Sequence, residues 1–279
     1  MTVVHAFPNS HATPPGPAML HPTDFGASGA SALVHTVALA LKAHARLSLL
    51  HIRGADEAGP TRNGLAPVAD LLMRWGRLRP DERFADLQPR LGFSATCLDV
   101  PARSVFDGVI EHFANHPVEL AVLATHAHSG LGYWFAGSVS RRTLRQADAM
   151  ILFVREGQRG FVDPQTGAIR LARALIPIDG RIPVARAIER ARALIGGPVE
   201  LQLLHVGDAA PADCPRDIRL TLAQGPVAET ILDAARSFRA DLIVMPTAGK
   251  RGLLAAFRNS VSARVLDDAR WPVLSVPAA

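Results

Sequence analysis

Apolar residues follow two alternating rhythms along this chain. Leu33, Val37 and Leu41 share one face at helical spacing, as do Val105, Val109 and Phe113 further on. Around them lie short, nearly continuous apolar runs: "RLSLLHI" (46–52), "FSATCLDV" (93–100), "ELAVLAT" (119–125) and "AMILFVR" (149–155). Such runs suit strands covered on both faces of a parallel sheet. A short strand over Ala18–Pro22 opens the series, and a helix from about Ser138 precedes its last strand.

The order restarts after residue 170. "RALIPID" predicts a strand, and "IPVARAIERARALIG" a helix stopped by Gly196-Gly197. "VELQLLHV" and "IRLTLAQ" predict strands, "GPVAETILDAARSF" a helix and "DLIVMPT" the central strand. A helix from about Ser260 and the strand "WPVLSVP" end the series. Alternating strands and helices imply right-handed crossovers and an open parallel sheet in each half.

The two halves are copies. Residues 119–144 and 241–266, offset by 122, share 11 of 26 residues, among them Thr125/Thr247, Gly130/Gly252, Ser138/Ser260 and Arg142/Arg264. Asp24 matches Asp179 at an offset of 155, and "LLHI" (49–52) matches "LLHV" (203–206) at 154. The difference in offset is a helical insert at about 54–91, present in the first half alone. The expected plan is a Pro-rich flexible leader (1–17), a first domain (18–156) with its insert, a linker (157–169) and a second domain (170–279). A length of 279 residues fits two domains of roughly 150 each.

Composition narrows the function. The net charge is only +5, and the sequence pI of about 10.1 reflects cations that are Arg apart from Lys42 and Lys250. No basic tail forms, so nucleic acid is not expected as a partner. No run reaches the roughly 18 apolar residues of a membrane span. Two lone cysteines, Cys97 and Cys214, and the lack of a secretory signal fit a cytoplasmic protein with reduced thiols. His126 and His128 could supply two zinc ligands with His51, but the second half has Ala248 and Lys250 at the matching sites. No metal is expected.

In open parallel sheets ligands bind at the carboxyl ends of the strands, where strand order reverses. Asp24 and Asp179 end the first strands, and Ile52 and Val206 end the second, placed to pack on a planar ring. Pro22 and Thr23 lead into Asp24. Thr125 and Thr247 end the fourth strands, and each following loop runs into a helix at Ser138-Val139 or Ser260-Val261. Free N–H groups and the positive dipole end at such a helix start suit a phosphate.

"PTDF" (22–25), "LLHI"/"LLHV", "THAHSGLGYWFAGSVSRRTL" (125–144), "TAGKRGLLAAFRNSVSARVL" (247–266) and "WPVLSVP" (271–277) together resemble the universal stress protein family in tandem form. The resemblance implies an α/β fold with two doubly wound five-stranded parallel domains, Rossmann-like, paired through their last strands as a built-in pseudo-dimer. It also implies a stress-response module, and in some members ATP binding. The ATP-binding loop of the family is Gly, two residues, Gly, nine residues, Gly, then Ser or Thr. Here the first half reads Ala124, Ala127, Gly137, Ser138, and the second Pro246, Gly249, Asn259, Ser260. Ala at a left-handed position costs roughly 1–2 kcal/mol, Pro246 has no N–H to donate, and Asn259 tolerates that conformation. With Gly130 and Gly252 these residues form the candidate site for ATP or a related adenine nucleotide. Two alternatives stay open: a slow ATP hydrolase, and a dimerisation module with degenerate pockets, either as this pseudo-dimer or as a homodimer. No phosphoryl-transfer lysine motif or catalytic triad is visible, so an enzyme is not expected.

Overall fold

The computed structural model describes residues 3–5, 16–53, 64–102, 105–125, 149–158, 160–212, 214–247 and 261–277. Their strands are β1 (Val3–His5), β2 (Ala18–Pro22), β3 (Arg46–Arg53), β4 (Ser94–Pro101), β5 (Leu120–Thr125) and β6 (Met150–Arg155). In the second half they are β7 (Arg173–Ile178), β8 (Glu200–Val206), β9 (Arg219–Ala223), β10 (Leu242–Thr247) and β11 (Val273–Pro277). The α-helices are α1 (Ala30–Lys42), α2 (Ala66–Arg74), α3 (Leu87–Leu91), α4 (Val105–Asn115), α5 (Ala185–Ile195), α6 (Val227–Phe238) and α7 (Val261–Asp268).

The strands form one sheet in the order β1-β4-β3-β2-β5-β6-β11-β10-β7-β8-β9. Within each half the five repeated strands are parallel and run third, second, first, fourth, fifth. The halves meet where β6 pairs antiparallel with β11, with Leu152 opposite Leu274. That is the last-strand pairing implied by the resemblance.

The apolar runs explain the layering. Side chains alternate across a strand, so Leu120 and Val122 of β5 enter one core while Ala121 and Leu123 enter the other. β10 divides the same way: Leu242 and Val244 against Ile243 and Met245. Each core draws on both halves and continues across the β6–β11 seam. α1, α2 and α5 cover one face, and α4, α6 and α7 the other. α5 shows how sequence sets its helix. Ala187, Ile188, Ala191 and Ile195 form the buried stripe, and Gly196, at φ +48°, ends the helix by donating its N–H to the Arg192 carbonyl.

Two segments differ from the sequence reading. Within the expected leader, Val3–His5 pairs with Asp99–Cys97 at the outer edge of β4. The edge strand's open hydrogen-bonding groups accept it. The expected linker is a packed turn. Asp163 Oδ1 accepts the Gln165 and Thr166 amides, Val162 bridges Ile169, and Phe161 and Val162 are buried. The insert holds this turn down. Trp75 Nε1 donates to the Pro164 carbonyl at 3.1 Å, and its ring covers Gly167 so closely that a Cβ there would lie 2.6 Å from it. Gly167 also has φ +69°, so both backbone and space require glycine.

Candidate functional site

In the second half a cavity of about 370 Å³ opens at the carboxyl ends of the strands, between α6 and the start of α7. It lies at the switch point. β7 pairs with β8 on one side and with β10 on the other, so successive crossovers leave in opposite directions. Ile178, Leu204, Val206, Met245 and Val261 give it apolar walls, and Asp179, Arg181, His205 and Ser262 bring polar side chains.

The turn after β7 positions Asp179. Its Oδ1 accepts the Arg181 amide at 2.9 Å and the Ile182 amide at 3.2 Å. One carboxylate oxygen therefore fixes the turn and the other is left for the cleft. His205 is oriented in the same way. Its Nδ1 lies 3.0 Å from the Ile178 carbonyl, which can only accept, so Nδ1 carries the proton and a neutral ring has its lone pair at Nε2. The sequence singled out Asp179, Val206 and Val261, and the fold gathers these three at the cavity. It did not single out Arg181, His205, Met245 or Ser262. The only available signal was their adjacency to the motif residues.

Thr247 is placed elsewhere. It is buried, and its hydroxyl donates to the Val276 carbonyl at 3.3 Å across the β10–β11 pair. Pro246 does line the cavity and offers no N–H.

The first half repeats the turn with different residues. Asp24 Oδ1 accepts the Gly26 amide at 2.7 Å, Thr23 Oγ1 accepts the Phe25 amide at 3.0 Å, and the Thr23 amide donates to the Leu50 carbonyl. Pro22 is buried beside Leu50 in the β2–β3 ladder. Phe25 is left-handed at φ +59°, as is its counterpart Gly180 at +74°. The Phe25 ring rests on His51 at 5.2 Å. Ile52 leans on α4 at Gly108, where a Cβ would come within 2.3 Å of Ile52 Cδ1. Thr125 ends β5, half-buried opposite Arg155. His126, Ala127, Gly130, Gly137, Ser138, Val139, Gly249, Gly252, Asn259 and Ser260, which make up the expected phosphate loops, lie outside the described residues.

The halves also differ in buried polar groups. Asp99 of β4 is 3% exposed and accepts from Arg53 Nε at 2.9 Å, with His51 Nδ1 3.5 Å away. Asp99 stands opposite His51, whereas Leu222 stands opposite His205. His21 replaces the second half's Ile176. Its Nδ1 donates to the Val122 carbonyl at 2.9 Å, its Nε2 has no partner among the described residues, and burial lowers its pKa to about 4. Cys97 is buried, and burial with Asp99 nearby raises its thiol to about 11, which makes it a poor nucleophile. Among the described residues no three His, Cys, Asp or Glu side chains gather to hold a metal. No helix among them is long and apolar enough to cross a membrane.

A duplicated, doubly wound sheet with an apolar-walled cleft at its switch point defines a tandem α/β protein. Residues 18–155 and 207–277 match the model of the universal stress protein family, and the chain belongs to that family. A universal stress protein from Archaeoglobus fulgidus has a similar structure, with a TM-score of 0.60 at 18% identity over 94% of this chain and 96% of that one. A functionally unknown protein from Pseudomonas aeruginosa PAO1 superposes with a TM-score of 0.57 at 15% identity, over 95% and 94% of the two chains. At these identities the likeness is one of fold. No curated protein matches the sequence.

Proposed function

We propose that this chain is a cytoplasmic stress-response binding module whose second-half cleft takes an adenine nucleotide or a close relative. The cavity at the β7–β10 switch point carries this reading: apolar walls for a planar base, and Asp179 with one oxygen left to accept from a ribose hydroxyl. At about 370 Å³ it has room for a base and ribose. α7 starts at the rim with Val261 and Ser262, and Arg181 offers a cation for a phosphate. Pro246 removes one backbone donor from the wall, which favours a ligand gripped mainly by base and sugar.

The chemistry favours binding over turnover. Among the described residues no hydroxyl or thiol of the cavity is hydrogen-bonded to His205 Nε2 or to Asp179, so the nucleophile–base pair that turnover would use is not assembled there.

The test is calorimetric titration of the full chain with adenosine, AMP, ADP and ATP, alongside an ADP-release assay. Saturable binding lost in Val206→Trp, with no multiple turnover, supports the proposal. Steady ADP release at many equivalents per protein would make the chain a hydrolase. No binding at millimolar ligand would leave the dimerisation module.

A further inference from the structure

A second cavity, of about 460 Å³, lies at the other end of the sheet. α1 runs back from the carboxyl end of β2, so its last turn sits beside the amino ends of the strands. That turn forms one wall, the insert a second and the 161–170 turn a third. The second half has no counterpart of the insert, so the hollow is not a repeat of the strand-end cleft.

Its chemistry is two-part. Ala38, Leu41, Leu91 and Ile169 give apolar surface, and Lys42, Arg77 and Arg90 supply cations. No carboxylate lines it among the described residues. Arg90 pairs with Glu82 at 3.0 Å and donates to the Arg77 carbonyl. The Lys42 ammonium donates to the Ile195 and Gly196 carbonyls at the end of α5. The Arg77 guanidinium has no hydrogen bond or ion pair among the described residues, and it is exposed. Glu82 offsets the charge of Arg90, whereas Lys42 meets only carbonyls and Arg77 has no carboxylate partner among the described residues, so the hollow keeps an excess of positive charge that an anion would balance. The free guanidinium fork of Arg77 suits the planar edge of a carboxylate or phosphate.

We propose that this hollow is a binding site for a small organic anion, with its phosphate or carboxylate head among Lys42, Arg77 and Arg90 and its apolar body against Leu41, Leu91 and Ile169. Because Lys42 also ties α1 to the second half's α5, the occupied site joins insert, linker turn and both domains. The proposal does not depend on the strand-end cleft.

Calorimetry on the full chain tests it with four probes: hexyl phosphate, hexanoate, inorganic phosphate and 1-hexanol. At least one of the two amphiphilic anions is expected to bind tenfold or more tightly than either inorganic phosphate or hexanol, and the better one identifies the head group. Arg77→Glu should weaken that binding at least tenfold, and Arg77→Ala less. Both leave the melting temperature unchanged, because the Arg77 side chain is exposed. Val206→Trp, which fills the strand-end cleft, should leave it intact. Equal affinity for hexanol and the anions, an unchanged affinity in Arg77→Glu, or loss of binding in Val206→Trp overturns the proposal.

Discussion

The Phe161 amide donates to His35 Nε2 at 3.1 Å, joining the linker turn to the middle of α1. Nδ1 of the same ring donates to the Ser31 carbonyl at 2.7 Å, so both nitrogens are used and the ring must be neutral. Phe161 also meets His35 edge-on, with centroids 4.7 Å apart.

Burial lowers the His35 pKa from 6.5 to about 4. The unfolded chain therefore takes up this proton first as pH falls. The stability contributed by neutral His35 is complete above about pH 6.5 and drains away between there and about pH 4, by up to about 3 kcal/mol. His21 and His112 shift in the same direction. Urea unfolding at pH 7 and pH 5 should show lower stability at pH 5. In His35→Leu that difference should shrink, and stability at pH 7 should fall by about 1–3 kcal/mol because the Phe161 amide loses its acceptor.

Gly167 sits under the Trp75 ring. Gly167→Ala meets a left-handed backbone and a ring 2.6 Å away, so it should cost more than the roughly 1–2 kcal/mol of the conformation alone. In a Trp75→Ala background the steric part disappears. A double-mutant cycle by thermal unfolding should therefore return a clear coupling energy. Additive effects would mean that the ring does not hold the turn.

Leu152 and Leu274 face each other across the seam, 1% and 0% exposed. Leu152→Ala should cost about 2–5 kcal/mol. Both cores cross the seam, so unfolding of the wild type and the variant should remain one transition by circular dichroism and fluorescence. Two separated transitions would show the halves to be independent.

Asp99→Leu leaves the half-buried Arg53 without its carboxylate and should destabilise by roughly 3 kcal/mol. Converting Arg53 to Leu as well should recover a good part of that loss. Chemical denaturation of the single and double variants checks the sign.

Much of the fold was legible because the decisive signals were local. Continuous apolar runs marked the strands, Gly196-Gly197 marked a helix end, and the internal match fixed equivalent positions. Asp179, Val206 and Val261 could be read as neighbours because all three stand at strand ends or a helix start in one repeated order. What stayed hidden depended on partners distant in sequence. The hydroxyl of Thr247 looks like a loop donor until β11 supplies the Val276 carbonyl. Phe25 carries no mark of its left-handed backbone, since only its partner Gly180 looks permissive. The linker turn has the composition of a tether, and only the placement of Trp75 and His35 reveals it as packed structure. Asp99 lies in an apolar run, and its cation is 46 residues earlier in the chain.

The antiparallel meeting of β6 and β11 has a consequence for evolution. Two separate subunits joined through such an edge would be encoded together, and any change in one would appear in both. Fused into a single polypeptide, the copies always assemble one to one and each can drift alone. One has gained a buried carboxylate and an added cover, while the other keeps a simpler, open-ended cleft. Specialisation of one copy need not disturb the other.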